Sequence, residues 1–315
     1  MSAIEARDLV KTYSTVRALD GLNISVPAGD VFGLLGPNGA GKSTTVKILT
    51  TLARPDSGTA TMHGIDVLRH PDRVRGSIGV VSQKSGSDPM ATGRENLVLQ
   101  GRLYGLRAAS SKARARELLD HFDLGEVADR QVRTYSGGTQ RRLDIALGLM
   151  HRPAVLFLDE PTTGLDPEAR SALWQEIARL AAAEGLTILL TTHYLDEADK
   201  LAGRLAIVDH GRVVAEGTPD ALKGELRGDA VHLDLPVEAD PSVARSVLAA
   251  LPAVREVQVT GRSLSARSDN GAGSVPGILA ALQEAGIPAS SVTVARPSLD
   301  DVFLRYAGRR LGQVA

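Results

Sequence analysis

The first fifty residues change from strand-like to helix-like hydrophobic patterns. Residues 4–9 and 22–26 alternate apolar and polar positions, which predicts an antiparallel edge on a larger sheet. Residues 31–35 are a continuous apolar run, and a glycine-rich turn separates them from residues 43–52, which have helical apolar spacing. The order predicts a strand, a loop and a helix.

The middle of the chain predicts a helical insertion within an α/β domain. From about residue 92 to 150 the apolar positions keep a helical period and lack strand-like runs, so we expect a helical subdomain at about 88–150. Strand-like runs return at 155–158, 187–190 and 205–208, with a helical pattern at 167–183. Strands that alternate with helices are typical of a parallel sheet.

The pattern restarts after residue 228. Strand-like and helix-like segments follow in the order βαββαβ, at residues 231–235, 241–251, 254–259, 264–266, 275–285 and 292–294. This order predicts a small ferredoxin-like α+β domain, with a flexible loop at 268–274 and a last helix after Ser298. We therefore expect two domains, 1–225 and 229–315.

Composition limits the possible functions. The chain has 315 residues and no cysteine, and 36 basic against 37 acidic side chains give a formal net charge of −1. This balance argues against a generally basic nucleic-acid coat, and the absence of cysteine excludes disulfides, thiolate metal sites and cysteine nucleophiles. The apolar runs are far shorter than the ~20 residues that a bilayer requires. We expect a cytoplasmic chain without a nucleic-acid partner. Any action of this chain at a membrane would go through another polypeptide.

A phosphate-binding pattern lies between the predicted strand and helix. The string GPNGAGKST matches G-x-x-x-x-G-K-[ST], in which bare glycine amides and the following helix N-terminus surround a polyphosphate. Lys42 would supply a positive charge at the β- and γ-phosphates, and the Ser43 hydroxyl would bind Mg²⁺. The expected nucleotide contacts are Gly36, Pro37, Asn38, Gly39, Ala40, Gly41, Lys42, Ser43 and Thr44.

Two adjacent acids end the apolar run 155–158. Ligands of open α/β sheets bind beyond the carboxyl ends of the strands, where Asp159 and Glu160 stand. Asp159 is suited to binding Mg²⁺, and Glu160 could act as general base toward an attacking water. The simpler alternative is a pair of solvated acids at a strand end.

The string YSGGTQ, residues 135–140, resembles the signature sequence of the ATP-binding cassette (ABC) family, the nucleotide-binding subunits of transporters. The resemblance covers roughly residues 1–225 and implies that Ser136, Gly137 and Gly138 bind the γ-phosphate of a nucleotide held by a second subunit. Tyr135 and Thr139 stand where the family usually has leucine and glutamine. Segments 191–199 and 207–219 are similar to the daunorubicin-resistance type of drug exporter.

The resemblance implies roles for further residues. Gln83 would reach Mg²⁺ and the attacking water, His193 would contact the γ-phosphate and steady Glu160, and Tyr13 would stack on adenine. Taken alone, His193 is a polar residue at a strand end, and Tyr13 could belong to the core. Residues 164–166 would form a loop by which subunits sense each other.

The function that the resemblance implies is ATP hydrolysis coupled to export. Two copies would bind ATP and Mg²⁺ at a shared interface, on the cytoplasmic face of a membrane, and drive a separate permease that exports a drug or other hydrophobic molecule. One alternative is a soluble cassette ATPase that acts as a clamp in DNA repair or translation. Another is a small-molecule kinase, which would not explain residues 136–138 together with His193.

Overall fold

The computed structural model describes residues 2–226 and 228–308, which divide between Thr218 and Pro219 into two compact units. Among these residues no helix combines the length and the apolar character needed to cross a bilayer.

The secondary structure of the first unit follows the predicted alternation. Its strands are β1 (Ser2–Tyr13), β2 (Val16–Pro27), β3 (Val31–Leu35), β4 (Ser57–Met62), β5 (Ile65–Asp66), β6 (Ile78–Val81), β7 (Val155–Asp159), β8 (Thr187–Thr192), β9 (Arg204–Asp209) and β10 (Arg212–Gly217). Its helices are α1 (Lys42–Leu49), α2 (Pro71–Ser77), α3 (Gly93–Leu103), α4 (Ala108–His121), α5 (Gly137–Gly148), α6 (Pro167–Glu184) and α7 (Leu195–Leu201).

A six-stranded sheet of order β10-β9-β3-β8-β7-β6 forms the centre of this unit. Neighbouring strands run parallel except β10, which pairs antiparallel with β9 at one edge. The carboxyl ends of β3, β6, β7 and β8 therefore lie at one side of the sheet, where crevices for ligands form. The prediction of an α/β fold with a mixed sheet is confirmed.

The first strands do not extend that sheet, and this expectation was wrong. β1 and β2 form a separate antiparallel sheet with β4 and β5, in the order β2-β1-β4-β5. The reason is that β1 pairs with β4, which follows α1 in the chain, so the second sheet lies across α1. Val46 and Ile48 of α1 are consequently buried in the same core as Phe32 of β3.

Helix α1 is shorter than residues 43–52. It ends at Leu49, and Thr51 then takes a left-handed backbone conformation with φ 65°. The amides of Leu52 and Ala53 both donate to the Lys47 carbonyl, which closes the helix end. Leu52, which fits the helical spacing, is 72% exposed.

The residues between β6 and β7 are helical. Helices α3, α4 and α5 and the short 3₁₀ turns Gly125–Val127 and Val132–Thr134 enclose an apolar core. That core includes Leu97, Leu118, Phe122 and Leu143, and all four follow the predicted apolar period.

The second unit contains α8 (Pro219–Gly224), β11 (Asp229–Asp234), α9 (Pro241–Ala249), β12 (Arg255–Thr260), β13 (Ser263–Ser268), α10 (Gly271–Glu284), β14 (Ser291–Ala295) and α11 (Leu299–Ala307). Its sheet is antiparallel throughout, in the order β12-β13-β11-β14. From β11 to β14 the chain has the predicted βαββαβ order.

Two local boundaries in this unit differ from those expected. The unit begins at Pro219 rather than near 229, because α8 packs on α11 and the Tyr306 hydroxyl donates to the Glu225 carboxylate. Residues 268–274 are not a flexible loop throughout. Helix α10 begins at Gly271, where the Asn270 side chain accepts a hydrogen bond of 3.0 Å from the Gly273 amide.

Candidate active site

The glycine-rich loop between β3 and α1 is packed tightly against β9. A Cβ at Gly36 would lie 2.3 Å from the Val208 carbonyl oxygen, so a larger residue does not fit. Gly41 precedes α1 with φ 113°, a conformation that only glycine adopts easily. Asn38 and Gly39 at the tip are exposed, whereas Ala40 is buried. The loop is therefore anchored at both ends and open in the middle.

Lys42 starts α1 and points back over the loop. The side chain is nearly buried, with 5% of the residue exposed, and its Nζ donates to the Gly36 carbonyl at 2.6 Å and the Pro37 carbonyl at 3.0 Å. Burial lowers the pKa of the ammonium, and the nearby Glu160 and Asp159 carboxylates oppose that shift. The positive charge thus faces the acidic end of β7.

Thr191 of β8 fixes both acids at the end of β7. Asp159 and Thr191 are opposite each other in the parallel pair, and the Thr191 hydroxyl donates to Asp159 Oδ1 at 2.5 Å. The Glu160 amide donates to the same hydroxyl at 3.1 Å and to the Thr191 carbonyl at 3.1 Å. Glu160 has φ 47°, a left-handed backbone that costs a non-glycine residue about 1–3 kcal/mol. The two hydrogen bonds hold it there.

The Glu160 carboxylate is the centre of a polar cluster. Gln83 Nε2 donates to its Oε2 at 3.2 Å, and the Thr163 hydroxyl donates to the same oxygen at 3.3 Å. His193 Nδ1 lies 3.2 Å from Glu160 Oε1, within ion-pair distance but without a hydrogen bond. Gln83 and His193 come from distant parts of the chain, so the fold brings together three of the residues expected in catalysis.

The oxygen donors around this cluster suit a magnesium ion. Mg²⁺ prefers carboxylate, hydroxyl and carbonyl oxygens together with the oxygens of a bound phosphate. Asp159 offers a carboxylate held in orientation by Thr191, and Ser43 an exposed hydroxyl in the first turn of α1. The Gln83 amide gives its NH₂ group to Glu160 and keeps its carbonyl oxygen for another partner.

The signature segment forms the N-terminus of α5. Ser136 is the N-cap, and its hydroxyl oxygen accepts from the Thr139 amide at 3.2 Å. A Cβ at Gly138 would lie 3.1 Å from the Ala169 Cβ of α6, while Gly137 is exposed. Amides and a hydroxyl at a helix start are suited to binding an anion. Within the described part of the chain, the Ser136 hydroxyl bonds to Thr139 and not to the Glu160 cluster.

Tyr135 explains part of the unusual signature string. Its ring packs into the core of the helical subdomain, and its hydroxyl donates to the Val127 carbonyl at 2.6 Å. A Cβ at Gly93, the first residue of α3, would lie only 2.4 Å from this hydroxyl. Tyr135 therefore supports the signature segment from behind. The Thr139 hydroxyl contacts the Ser136 hydroxyl at 2.8 Å.

The adenine-stacking candidate and the loop at 164–166 stand outside the Glu160 cluster. Tyr13 is 44% exposed at the end of β1, and Lys11 Nζ lies 5.3 Å from the centre of its ring, so it is not a core tyrosine. Asp166 is the N-cap of α6 and accepts from the Ala169 amide at 2.8 Å.

Several polar residues of the site were not identified from the sequence as site residues. Thr191 is one, although it stands two residues before His193. Glu197 is fully buried on α7; its Oε1 accepts from the Thr162 hydroxyl at 2.9 Å and from Trp174 Nε1 at 3.1 Å, and burial raises its pKa. Arg141 and Asp144 are buried on α5. The sequence signal that could have identified Glu197, Arg141 and Asp144 is a charged residue on the apolar face of a predicted helix.

Comparison with known proteins follows the division into two units. Residues 19–163 match the family model described as ABC transporter. Residues 217–307 match the model of the C-terminal domain of ATP-binding proteins like DrrA1-3.

Characterised relatives are similar over almost the whole chain. The daunorubicin/doxorubicin resistance ATP-binding protein DrrA of Streptomyces peucetius is 48% identical, over 97% of this chain and 92% of the relative. The Nod factor export ATP-binding protein I of Paraburkholderia xenovorans is 40% identical, over 98% of each. A solved dimeric ATP-binding cassette in a post-hydrolysis state, bound to ADP and Pi, is 26% identical with a TM-score of 0.62, over 68% of this chain and 98% of that one.

Proposed function

This chain belongs to the ABC transporter family as an ATP-binding and ATP-hydrolysing subunit, and from that premise we propose that it energises export of a drug or other hydrophobic small molecule through a separate membrane permease. The names of the relatives support the export direction and the drug cargo. The observation that carries the catalytic part is the cluster of Gln83, His193 and Glu160 beside the buried Lys42.

The residues of the loop and cluster would divide the work as follows. Glu160 orients the attacking water and accepts its proton, and His193 keeps that carboxylate in place at the γ-phosphate. Lys42 releases the loop carbonyls and balances the charge that develops on the phosphates. The loop residues from Gly36 to Thr44 hold the polyphosphate through their amides and hydroxyls, and Tyr13 stacks on the adenine.

Magnesium would be held by the Ser43 hydroxyl, the Gln83 carbonyl oxygen and the Asp159 carboxylate. When bound, the ion supplies positive charge to the phosphate oxygens. The support for this part of the proposal is the chemistry of the three oxygen donors, together with the hydrogen bond that orients Asp159.

We further propose that two copies pair with ATP between them. The phosphate loop of one copy would face Ser136, Gly137 and Gly138 at the start of α5 in the other, where amides and the helix dipole favour an anion. The exposure of Ser136 and Gly137 at this helix start supports the arrangement, and the similar solved cassette is a dimer. Hydrolysis would remove the γ-phosphate contacts and open the pair.

The dimer would attach peripherally to the cytoplasmic side of the membrane by binding the permease. Leu99 and Leu103 lie one turn apart on α3 and are both largely exposed. Their apolar side chains support α3 as part of the surface that the permease contacts. Copurification of the tagged chain with its permease, and ATPase activity stimulated by the cargo, would test this attachment.

Glu160→Gln tests the catalytic assignment. The variant keeps the shape of the side chain but loses the base, so we expect normal ATP binding, at least about a hundredfold slower turnover and an ATP-held dimer on a sizing column. Glu126→Gln, at an exposed acid of the helical subdomain, should behave as the wild type. Near-normal hydrolysis by the Glu160 variant would overturn the role of this residue. Lys42→Ala should already fail in an equilibrium ATP titration.

A further inference from the structure

Helix α5 reaches the main chain on both sides of the reaction site through Arg141. This residue is only 7% exposed. Its Nη1 donates to the Ser82 carbonyl at 2.6 Å, its Nε to the Pro161 carbonyl at 2.7 Å, and its Nη2 to the Asp159 carbonyl at 3.2 Å. All three nitrogens of one guanidinium are therefore used on backbone carbonyls.

The three carbonyls belong to residues next to Gln83 and Glu160 in the chain. Ser82 directly precedes Gln83, and Asp159 and Pro161 stand on either side of Glu160. The guanidinium is planar and rigid, so its donors have fixed separations. It acts as a spacer between the two main-chain segments whose side chains meet at the 3.2 Å contact between Gln83 Nε2 and Glu160 Oε2.

Asp144, one helical turn after Arg141, holds the far side of the same loop. Its Oδ1 accepts from the Ser85 hydroxyl at 2.6 Å, and the Gly86 amide donates to the same carboxylate. Burial raises the pKa of Asp144, and the charge of Arg141 opposes that shift. Helix α5 therefore hydrogen-bonds to residues 82–86 on both sides of Gln83, through Arg141 before it and through Asp144 after it.

We propose that Arg141 is a positioning residue for ATP hydrolysis, which keeps the Gln83 amide at the Glu160 carboxylate by holding the main chain beside each of them. The inference rests on the catalytic role proposed for Glu160. The same helix begins at the signature segment, so a shift of α5 changes the separation of Gln83 and Glu160. Misplacement by about 1 Å is enough to slow a reaction by about a hundredfold.

Arg141→Lys is the test in the full-length chain. The lysine keeps the charge, but one ammonium on a flexible stem cannot span three carbonyls. We expect kcat to fall at least about tenfold while KM for ATP stays within about twofold, because nucleotide binding does not use this residue. Arg133→Lys, the same change at an exposed arginine in the 3₁₀ turn before α5, should leave both constants unchanged.

A second background separates positioning from general support. A Gln83→Ala chain lacks the amide that Arg141 is proposed to position. Arg141→Lys should therefore lower kcat by less than about threefold in that chain. An equal fold-loss in both backgrounds, or an unchanged kcat in the otherwise wild-type chain, would overturn the proposal.

Separate measurements distinguish misfolding of the variant, and failure of the proposed catalytic role of Glu160, from failure of the inference about Arg141. If Arg141→Lys fails to fold by circular dichroism, Ser85→Ala at an exposed residue replaces it, with an expected loss of about threefold in kcat that disappears without Gln83. No loss in that variant also overturns the inference. Failure of the proposed function would show differently, as undiminished turnover in Glu160→Gln.

Discussion

The Thr191 hydroxyl connects the two acids of the site, so Thr191→Val removes their shared support while almost keeping the side-chain shape. The residue is fully buried in β8. Its hydroxyl donates to Asp159 Oδ1 at 2.5 Å and accepts from the Glu160 amide at 3.1 Å. Valine can make neither bond.

The expected cost follows from these two bonds. A hydrogen bond to a charged group contributes about 1.5–3 kcal/mol, and a neutral one about 0.5–1.5 kcal/mol. The Glu160 amide keeps its bond to the Thr191 carbonyl, so its loss lies at the low end of that range. We expect the free energy of unfolding to fall by about 2–4 kcal/mol, which lowers Tm by roughly 4–16 °C for a domain of this size.

A matched variant lies on the same strand. Thr187 is also buried, and its hydroxyl oxygen accepts a single hydrogen bond, of 2.9 Å, from the Gly29 amide at the end of β8 away from the acids. Thr187→Val should cost only about 1 kcal/mol. Thermal melting by circular dichroism compares the two, and ATPase assays at saturating nucleotide compare kcat. We expect kcat to fall about tenfold in Thr191→Val and to stay unchanged in Thr187→Val.

The comparison can fail in two ways. If both variants lose the same stability and keep full turnover, the hydroxyl of Thr191 does not orient the acids. If Thr191→Val loses stability but not turnover, the bonds support the fold alone. Either result would exclude a role in catalysis for the Thr191 hydrogen bonds between β7 and β8.

Two other predictions follow from buried positions. Gly36→Ala should weaken ATP affinity at least about tenfold in an equilibrium titration, because its Cβ would meet the Val208 carbonyl, whereas Gly76→Ala, in open space, should bind normally; equal affinities would contradict the packing argument. The pKa of Glu197 is raised by burial from an ordinary value of 4.5, so its favourable contribution is present below pH 4.5 and is lost as the pH rises through the folded pKa. Glu197→Gln should therefore gain stability relative to the wild type between pH 4 and 8 in urea unfolding, and a difference independent of pH would exclude this linkage.

Local pattern was enough to find the parts of the site that are contiguous in the chain. The glycine loop stands between a strand and a helix, and Asp159 ends an apolar run, so each has its own signal. The residues that hold these parts in position, such as Arg141, have no local sequence signal. Arg141 binds three carbonyls that lie 18, 20 and 59 residues away in the chain, and a single arginine on a helix resembles a solvated charge until the fold is known.

Two of the fold predictions that were wrong, the sheet of β1 and the end of α1, also depended on features that the hydrophobic pattern does not report. The pairing of β1 with β4 spans α1 and buries Val46 and Ile48 of that helix, a long-range arrangement that no local alternation reveals. Helix α1 ends early because Thr51 takes a left-handed conformation, although Leu52 continues the apolar spacing. Periodicity reports which face is apolar, and it does not report where the backbone turns.

The contact between Tyr135 and Gly93 restricts the order in which this chain can change during evolution. The tyrosine hydroxyl occupies the space that a β-carbon at position 93 would need. A side chain at position 93 can therefore become fixed only after Tyr135 has given way to a residue without the hydroxyl, such as phenylalanine or leucine. The reverse order passes through an intermediate in which the hydroxyl and the new β-carbon clash, so a chain that keeps Tyr135 should also keep glycine at position 93.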